Sequence, residues 1–310
     1  MNIKTFMEEI ANAIKNKHAG LEAIPTETQR ANGIIQYGLT LRKEDSRVAP
    51  VFYVNDMFDK YNSGELSVEA ILAQIMRTYE ELPAPNIPNV DKMMSSEDFI
   101  DKITLRLLNG PENMDMIEQK QLVCYEVPNT DLVCIFHAVI MMAEDSSGSI
   151  AVTKALMNRY LPNIKTGEDL YQEIVKRTTP ESIRMESIME VVERMVIEKA
   201  LALPPIPNEE DLFYVITNRH MSYGAASPLT EAGRKLILEK FPDGKVTILP
   251  SSVHESLILR TKEDEDTEML RDMVCQVNQT EVAHCDFLSN NIYHYDANTG
   301  ILELVERGEK

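Results

Sequence analysis

Two stretches of the chain read as variants of one pattern: residues 37–65, "YGLTLRKEDSRVAPVFYVNDMFDKYNSGE", and residues 137–168, "HAVIMMAEDSSGSIAVTKALMNRYLPNIKTGE". Leu39 and Leu41 match Val139 and Met141, and Glu44-Asp45 match Glu144-Asp145, each pair 100 positions apart. Past the acidic turn the spacing falls by one, pairing Tyr53-Val54 with Val152-Thr153, Met57-Phe58 with Leu156-Met157, and Tyr61 with Tyr160. A one-residue slip at a hairpin tip is the kind of change loops absorb. Each copy predicts strand, acidic turn, strand, short helical turn and then an amphipathic helix, opened after Gly64 in one and Gly167 in the other. The unit is ββα. In the first copy Ile35, Tyr37, Leu39 and Leu41 alternate with Gln36, Thr40 and Arg42, as in a half-exposed strand. Its counterpart "LVCIFHAVIMM" is apolar almost throughout, which predicts burial on both faces.

Working outward, "FYVITNRHM" at Phe213 and "LILRTKED" at Leu257 read as a third, partial copy with its parts in the other order. Two proline-rich segments, "LPAPNIPN" at 82–89 and "LPPIPN" at 203–208, each follow a helical pattern that proline terminates. Before the first, Val68, Ile71, Leu72, Ile75 and Tyr79 share a helix face; before the second, Ile183, Ile188, Val191, Val192, Met195 and Val196 predict another. The expected fold is α+β, built of quasi-repeated ββα lobes with antiparallel or mixed sheets covered by helices. The expected lobes are 1–83, 84–204 and 205–310. In the last, Ser227 is expected to cap a helix with Pro228 at its first position and a stripe of Leu229, Ala232, Leu236, Ile237 and Phe241. A strand "KVTIL", a helix around 269–277 and a hairpin through "NIYHYDANTGILELV" complete it.

The 310 residues are 44% hydrophobic with 12 Gly and 15 Pro, an ordinary globular balance. Fifty acidic against 31 basic residues give a net charge of −19, which opposes the phosphate neutralisation behind nucleic-acid and anionic-membrane binding. Residues Ile3, Phe6, Met7, Ile10 and Ile14 form one stripe of an N-terminal helix, interrupted by Glu8, Glu9 and Asn12 rather than continuous as in a leader. No apolar run approaches the roughly 18 residues of a membrane span. A cytoplasmic location is expected, and Cys124, Cys134, Cys275 and Cys285 fit it as free thiols.

Several constellations carry chemistry. The corner "ILPSSVHES", 248–256, holds Ser251, Ser252, His254 and Glu255. Ser252 and His254 share a strand face, so a Ser-His dyad is conceivable, but Glu255 points the other way and no Gly-x-Ser-x-Gly elbow is present. The related "YEVPNTDLV" sets Pro128-Asn129-Thr130 where Pro250-Ser251-Ser252 stand, which is turn chemistry. A polar corner is therefore the favoured reading and a catalytic site the alternative. In "NRHMSYGAASPLTEAGRK", 218–235, Arg219, His220 and Ser227 precede a helix start able to hold an anion, although a Ser-Pro cap accounts for the same residues. Cys275, His284, Cys285 and His294 have zinc-ligating atoms without a finger's spacing, and no metal or cofactor is expected. His137, inside its apolar strand, reads as a core ring. The Glu-Asp pairs, including Glu263-Asp264 and Glu265-Asp266, lack the pattern of a calcium loop.

The phrases "NGIIQYGLTLRKED", "APVFYVNDMFDKY", "YVITNRHMSYGAA", "ILPSSVHESLIL" and "LSNNIYHYD" together resemble the bacterial domain-of-unknown-function family 5688, found mainly in Firmicutes. The resemblance spans nearly the whole chain and implies a soluble bacterial protein, with no activity or catalytic residue to transfer. Function is accordingly expected to be that of a non-enzymatic interaction or scaffold protein, with a protein partner or self-association. Met185, Met189 and Met195 are the suggested docking residues. The alternative is a small-molecule sensor or hydrolase-like enzyme with a pocket near Ser252 and His254.

Overall fold

In the computed structural model, which describes residues 1–43, 49–81, 96–142, 147–191, 193, 213–250 and 252–306, the side chain of Asn2 accepts the Thr5 N–H at 2.9 Å and starts helix α1, Ile3–Lys17. Both proline-rich segments, the Glu44-Asp45 and Glu144-Asp145 turns, Val192, Met195, Val196 and Ser251 lie outside the described residues. The chain divides into two compact units, Met1–Asn89 and Val90–Lys310.

In the first unit α1 buries its predicted stripe of Phe6, Met7, Ile10 and Ile14. Strands β1, Leu21–Gln29, β2, Ile35–Lys43, and β3, Val51–Tyr53, form an antiparallel meander. Helices α2, Asn55–Asn62, and α3, Val68–Glu81, follow. Leu39 and Leu41 of β2 meet Ile71 and Ile75 of α3 in the same core as the α1 stripe. Each such aliphatic side chain contributes roughly 1.5–3 kcal/mol by leaving water.

The second unit carries two sheets. After α4, Ser96–Asp101, strand β4, Ile103–Asn109, leads into α5, Gly110–Gln119, and β5, Cys124–Glu126. Strand β6, Leu132–Met142, pairs antiparallel with β4 on one side and with β5 and β7, Ser147–Ala151, on the other. Val133, Cys134, Ile135, Phe136 and Ala138 are all buried, so β6 is covered on both faces as its unbroken apolar run predicts. Helices α6, Lys154–Tyr160, and α7, Gly167–Arg177, come next, the latter opened by a capping box between Thr166 and Asp169. Segments 35–81 and 132–177 thus share one element order: strand, hairpin partner, short helix, longer helix.

The other sheet is six-stranded and wholly antiparallel, in the order β13-β12-β10-β11-β9-β8. It comprises β8, Ile183–Ser187, β9, Tyr214–Asn218, β10, Lys245–Leu249, β11, Ser256–Arg260, β12, Tyr293–Asp296, and β13, Ile301–Leu304. Helices α8, Glu231–Lys240, and α9, Thr267–Thr280, belong to this region. An α+β fold with antiparallel sheets results, and among the described residues no helix is long and apolar enough to cross a membrane.

Two local expectations are corrected. The helix predicted from Ile183 onward is instead a 3-10 turn at Pro180–Ser182 and strand β8, with helical residues at 188–191 and 193 among the described residues. The ladder from Ile183↔Asn218 to Ser187↔Tyr214 outweighs the local periodicity. Ser187 then caps the helical turn, its hydroxyl accepting the Glu190 N–H at 3.2 Å while Glu190 Oε2 accepts the Ser187 N–H at 2.6 Å. Met185 therefore sits on a strand, apart from any helical methionine stripe. Ser227 likewise does not cap an α-helix: Ser227–Leu229 is a 3-10 turn, and Thr230 caps α8 by accepting the Gly233 N–H at 3.0 Å.

Candidate functional site

The polypeptide leaves β9 through a tight loop organised by Asn218. Its Oδ1 accepts the N–H groups of His220 at 2.9 Å and Ser222 at 3.4 Å, and its Nδ2 donates to the Ser222 carbonyl at 2.6 Å. The turn forces Met221 and Tyr223 into left-handed backbone at φ +50° and +53°, which side-chain-bearing residues rarely occupy. Gly224 follows because a Cβ there would lie 2.2 Å from Thr217 Oγ1 and 2.4 Å from the Asn218 nitrogen. Next comes the Ser227–Leu229 turn, pressed so closely on α8 that a Cβ on Gly233 would meet the Ser227 carbonyl oxygen at 2.0 Å.

The serine-histidine corner holds this loop from behind. The Gly224 and Ala225 N–H groups donate to the His254 and Val253 carbonyls at 2.9 and 3.2 Å, and Thr217 Oγ1 donates to the His254 carbonyl at 2.6 Å. Ser256 Oγ donates to the Ala225 carbonyl at 3.1 Å. The His254 ring is engaged at both nitrogens: Nδ1 accepts the Tyr223 N–H at 3.2 Å, and Nε2 stands 3.3 Å from Asp286 Oδ1. A backbone N–H can only donate, so the neutral ring carries its proton on Nε2, toward Asp286. Ser252 Oγ accepts the His254 backbone N–H at 2.9 Å and has no hydrogen bond to the imidazole. The carboxylate beside His254 is Asp286, and Glu255 makes no hydrogen bond or ion pair among the described residues. Pro128-Asn129-Thr130, the stretch likened to this corner, is also a turn: Thr130 Oγ1 donates to the Val127 carbonyl at 2.8 Å and Asn129 has φ +57°.

On the other side of the loop lies a cleft of about 710 Å³, within the 300–1,000 Å³ range common for small-molecule sites. The end strands of both sheets of the unit border it, β4 through Ile103–Leu105 and β8 through Ile183, together with the end of α7 and residues 218–230. Arg219, His220 and Ser227 all line it. Ser252, His254 and Glu255 do not; they lie behind the loop.

The charges on the cleft wall run against the protein as a whole. Lys102, Arg177 and Arg219 line it with one acid, Asp101; Arg177 pairs with Asp101 at 2.7 Å and stands 3.6 Å from Glu173. Arg106, behind the wall, lies with its guanidinium carbon 3.9 Å from the centroid of the Tyr223 ring, which lines the cleft. It donates to Ser149 Oγ at 2.8 Å and has no carboxylate partner among the described residues, and burial lowers its pKa. His137, on the pairing strand β6, is 3.4 Å from the same Ser149 hydroxyl. Burial, reinforced by the Arg106 and Lys120 charges, lowers the His137 pKa to about 3, so this ring is neutral.

Arg106, Tyr223 and Arg177 carry no motif in the sequence. A lone arginine in the apolar strand "ITLRLLN" was the one visible signal. Cys275, His284, Cys285 and His294 are not gathered, and among the described residues no three His, Cys, Asp or Glu come together to hold a metal ion.

A family comparison extends over this whole arrangement, matching residues 3–297. The chain belongs to DUF5688, a family of unknown function. The DUF5688 match takes in both units and every residue of the cleft. No curated protein and no solved structure matches the chain.

Proposed function

We propose that the protein binds a small molecule in the cleft of its second unit, and that it works as a binding or sensing protein rather than a hydrolase. One observation carries this reading: a cavity of ligand size is bordered by two sheet ends and walled by a loop clamped in left-handed backbone. Strained backbone of this kind persists only where its surroundings over-determine it, and such strain clusters at ligand sites. Against the hydrolase alternative, Ser252 Oγ meets the His254 backbone N–H rather than the ring, whose nitrogens are taken by the Tyr223 N–H and by Asp286.

Native mass spectrometry of freshly purified full-length protein, compared with its denatured mass, tests the reading. Thr104 is an exposed residue of the cleft wall, so Thr104→Trp fills the cavity without touching the core. The expected result is extra mass on the wild type that is lost on denaturation and missing from Thr104→Trp. A bare wild-type chain whose melting temperature is unmoved by a broad small-metabolite panel overturns the proposal.

A further inference from the structure

We propose that the ligand of this cleft is an amphipathic organic anion, a molecule with one carboxylate or phosphate head and an apolar body. The inference rests on the cleft being a ligand site and goes further by assigning the chemistry of its occupant.

Three independent observations converge. Ser227 is only 4% exposed and lines the cleft, yet its hydroxyl has no hydrogen-bond partner among the described residues and is not among the buried polar atoms sealed from solvent. A hydroxyl that opens to the cleft and is unused by the protein is available to donate to a ligand oxygen. The turn bearing it runs into the N-terminus of the ten-residue α8, whose positive dipole end favours an anion.

The second observation is charge. In a chain of net charge −19, the cleft carries Arg219 on its wall and places the desolvated Arg106, which has no carboxylate partner among the described residues, behind Tyr223. The wall's acid, Asp101, is paired with Arg177, which also stands 3.6 Å from Glu173, so that group neither repels an anion nor draws one. Arg219 has no ion pair or hydrogen bond from its side chain among the described residues and is free to reach a head group. Arg219 and Arg106 thus put positive charge beside the cleft of an otherwise acidic protein, as needed to draw an anion.

The third is the apolar wall. Ile100, Ile103, Leu105, Val139, Ile174 and Ile183 line the same space. Inorganic phosphate alone leaves that surface wet, whereas an alkyl or aryl body covers it. Head and body together specify an amphiphile.

Isothermal titration of the full-length protein with octanoate, octyl phosphate, inorganic phosphate, 1-octanol and octylammonium reads each part of this assignment. The expected result is that octanoate, octyl phosphate or both bind, at least about tenfold more tightly than octanol, octylammonium and inorganic phosphate, and more weakly as salt rises. The ratio of octanoate to octyl phosphate tells the two heads apart. Ser227→Ala and Arg219→Ala each weaken the bound anion about fivefold or more with little change in melting temperature, and Thr104→Trp abolishes it. Equal binding of octanol or octylammonium overturns the anion assignment while leaving the cleft a ligand site. Inorganic phosphate matching octyl phosphate overturns the apolar body. Anion binding unchanged in all three variants, or absent for every probe, overturns the assignment, and the ligand retained through purification decides the broader reading separately.

Discussion

His254 Nδ1 accepts the backbone N–H of Tyr223 across 3.2 Å, tying a histidine on one loop to a residue held at φ +53° on another. The tie gives Ser252 and His254, polar residues of the Ser-Ser-Val-His-Glu corner, a structural task. Its serine holds the histidine backbone, and its histidine holds the cleft loop. A catalytic dyad predicts that Ser252→Ala and His254→Ala leave stability intact while abolishing a reaction. The clamp predicts the opposite: each substitution lowers unfolding free energy by about 1 kcal/mol, the net value of a hydrogen bond, as urea denaturation reads. His254→Ala also weakens ligand binding, because the loop carrying Tyr223 relaxes.

A second polar knot joins the two sheets of the larger unit. The Asp131 carboxylate, in the turn before β6, accepts Ser289 Oγ at 2.9 Å, Asn291 Nδ2 at 3.1 Å and the Tyr293 hydroxyl. Tyr293 is fully buried, and burial followed by the Asp131 charge pushes its phenol pKa up. Removing one donor from a carboxylate costs more than removing one from a neutral acceptor. Tyr293→Phe is expected to cost about 1.5–3 kcal/mol in urea, and Asp131→Asn to act through the same network, so the double variant costs less than the sum.

The fold was legible where pattern and burial agree. The alternation of Leu39 and Leu41, the unbroken run of β6 and the α1 stripe each named the face they bury. It was illegible where pairing beats period: Ile183 fits a helix stripe with Ile188 and Val191 locally, and only the ladder with β9 makes it part of a strand. The site was half legible. Arg219, His220 and Ser227 were visible as a loop before a helix, and all three line the cleft. Their opposite wall comes from β4 and α7, more than forty residues away in sequence, and no local spacing records that encounter. The clamp was hidden for the same reason, since Asp286 reaches His254 from another turn.

The neutral state of His137 gives stability a signature in acid. With a native pKa of about 3 against an ordinary 6.5, the unfolded chain binds this proton more readily than the folded one. The contribution is fully present above about pH 6.5 and declines as pH falls toward 3. Between these limits the slope approaches about 1.4 kcal/mol per pH unit for one proton, with water near the half-buried ring reducing the total to a few kcal/mol. His137→Asn removes this dependence. Urea midpoints from pH 7 to pH 5 should fall more steeply for the wild type than for the variant, and parallel curves would contradict the shift.

Cys134 sits in the middle of β6, paired across to Leu107 of β4 and Tyr125 of β5, and has no exposed surface. Burial, with the Cys124 sulfur adding to it, raises its thiol pKa, so both access and ionisation protect it. Cys124 is shifted the same way, by burial and then by Glu126, although part of it reaches the surface. Cys275 and Cys285 are also partly exposed. Brief iodoacetamide treatment of the native protein, followed by peptide mass spectrometry, is expected to modify Cys275 and Cys285 first, Cys124 slowly and Cys134 last. Reaction at Cys134 requires opening of the β4-β6-β5 ladder. Its rate therefore follows the population of opened molecules and is slower than in urea by at least about a thousandfold. Rapid native labelling of Cys134 would mean that β6 is not the covered centre of its sheet.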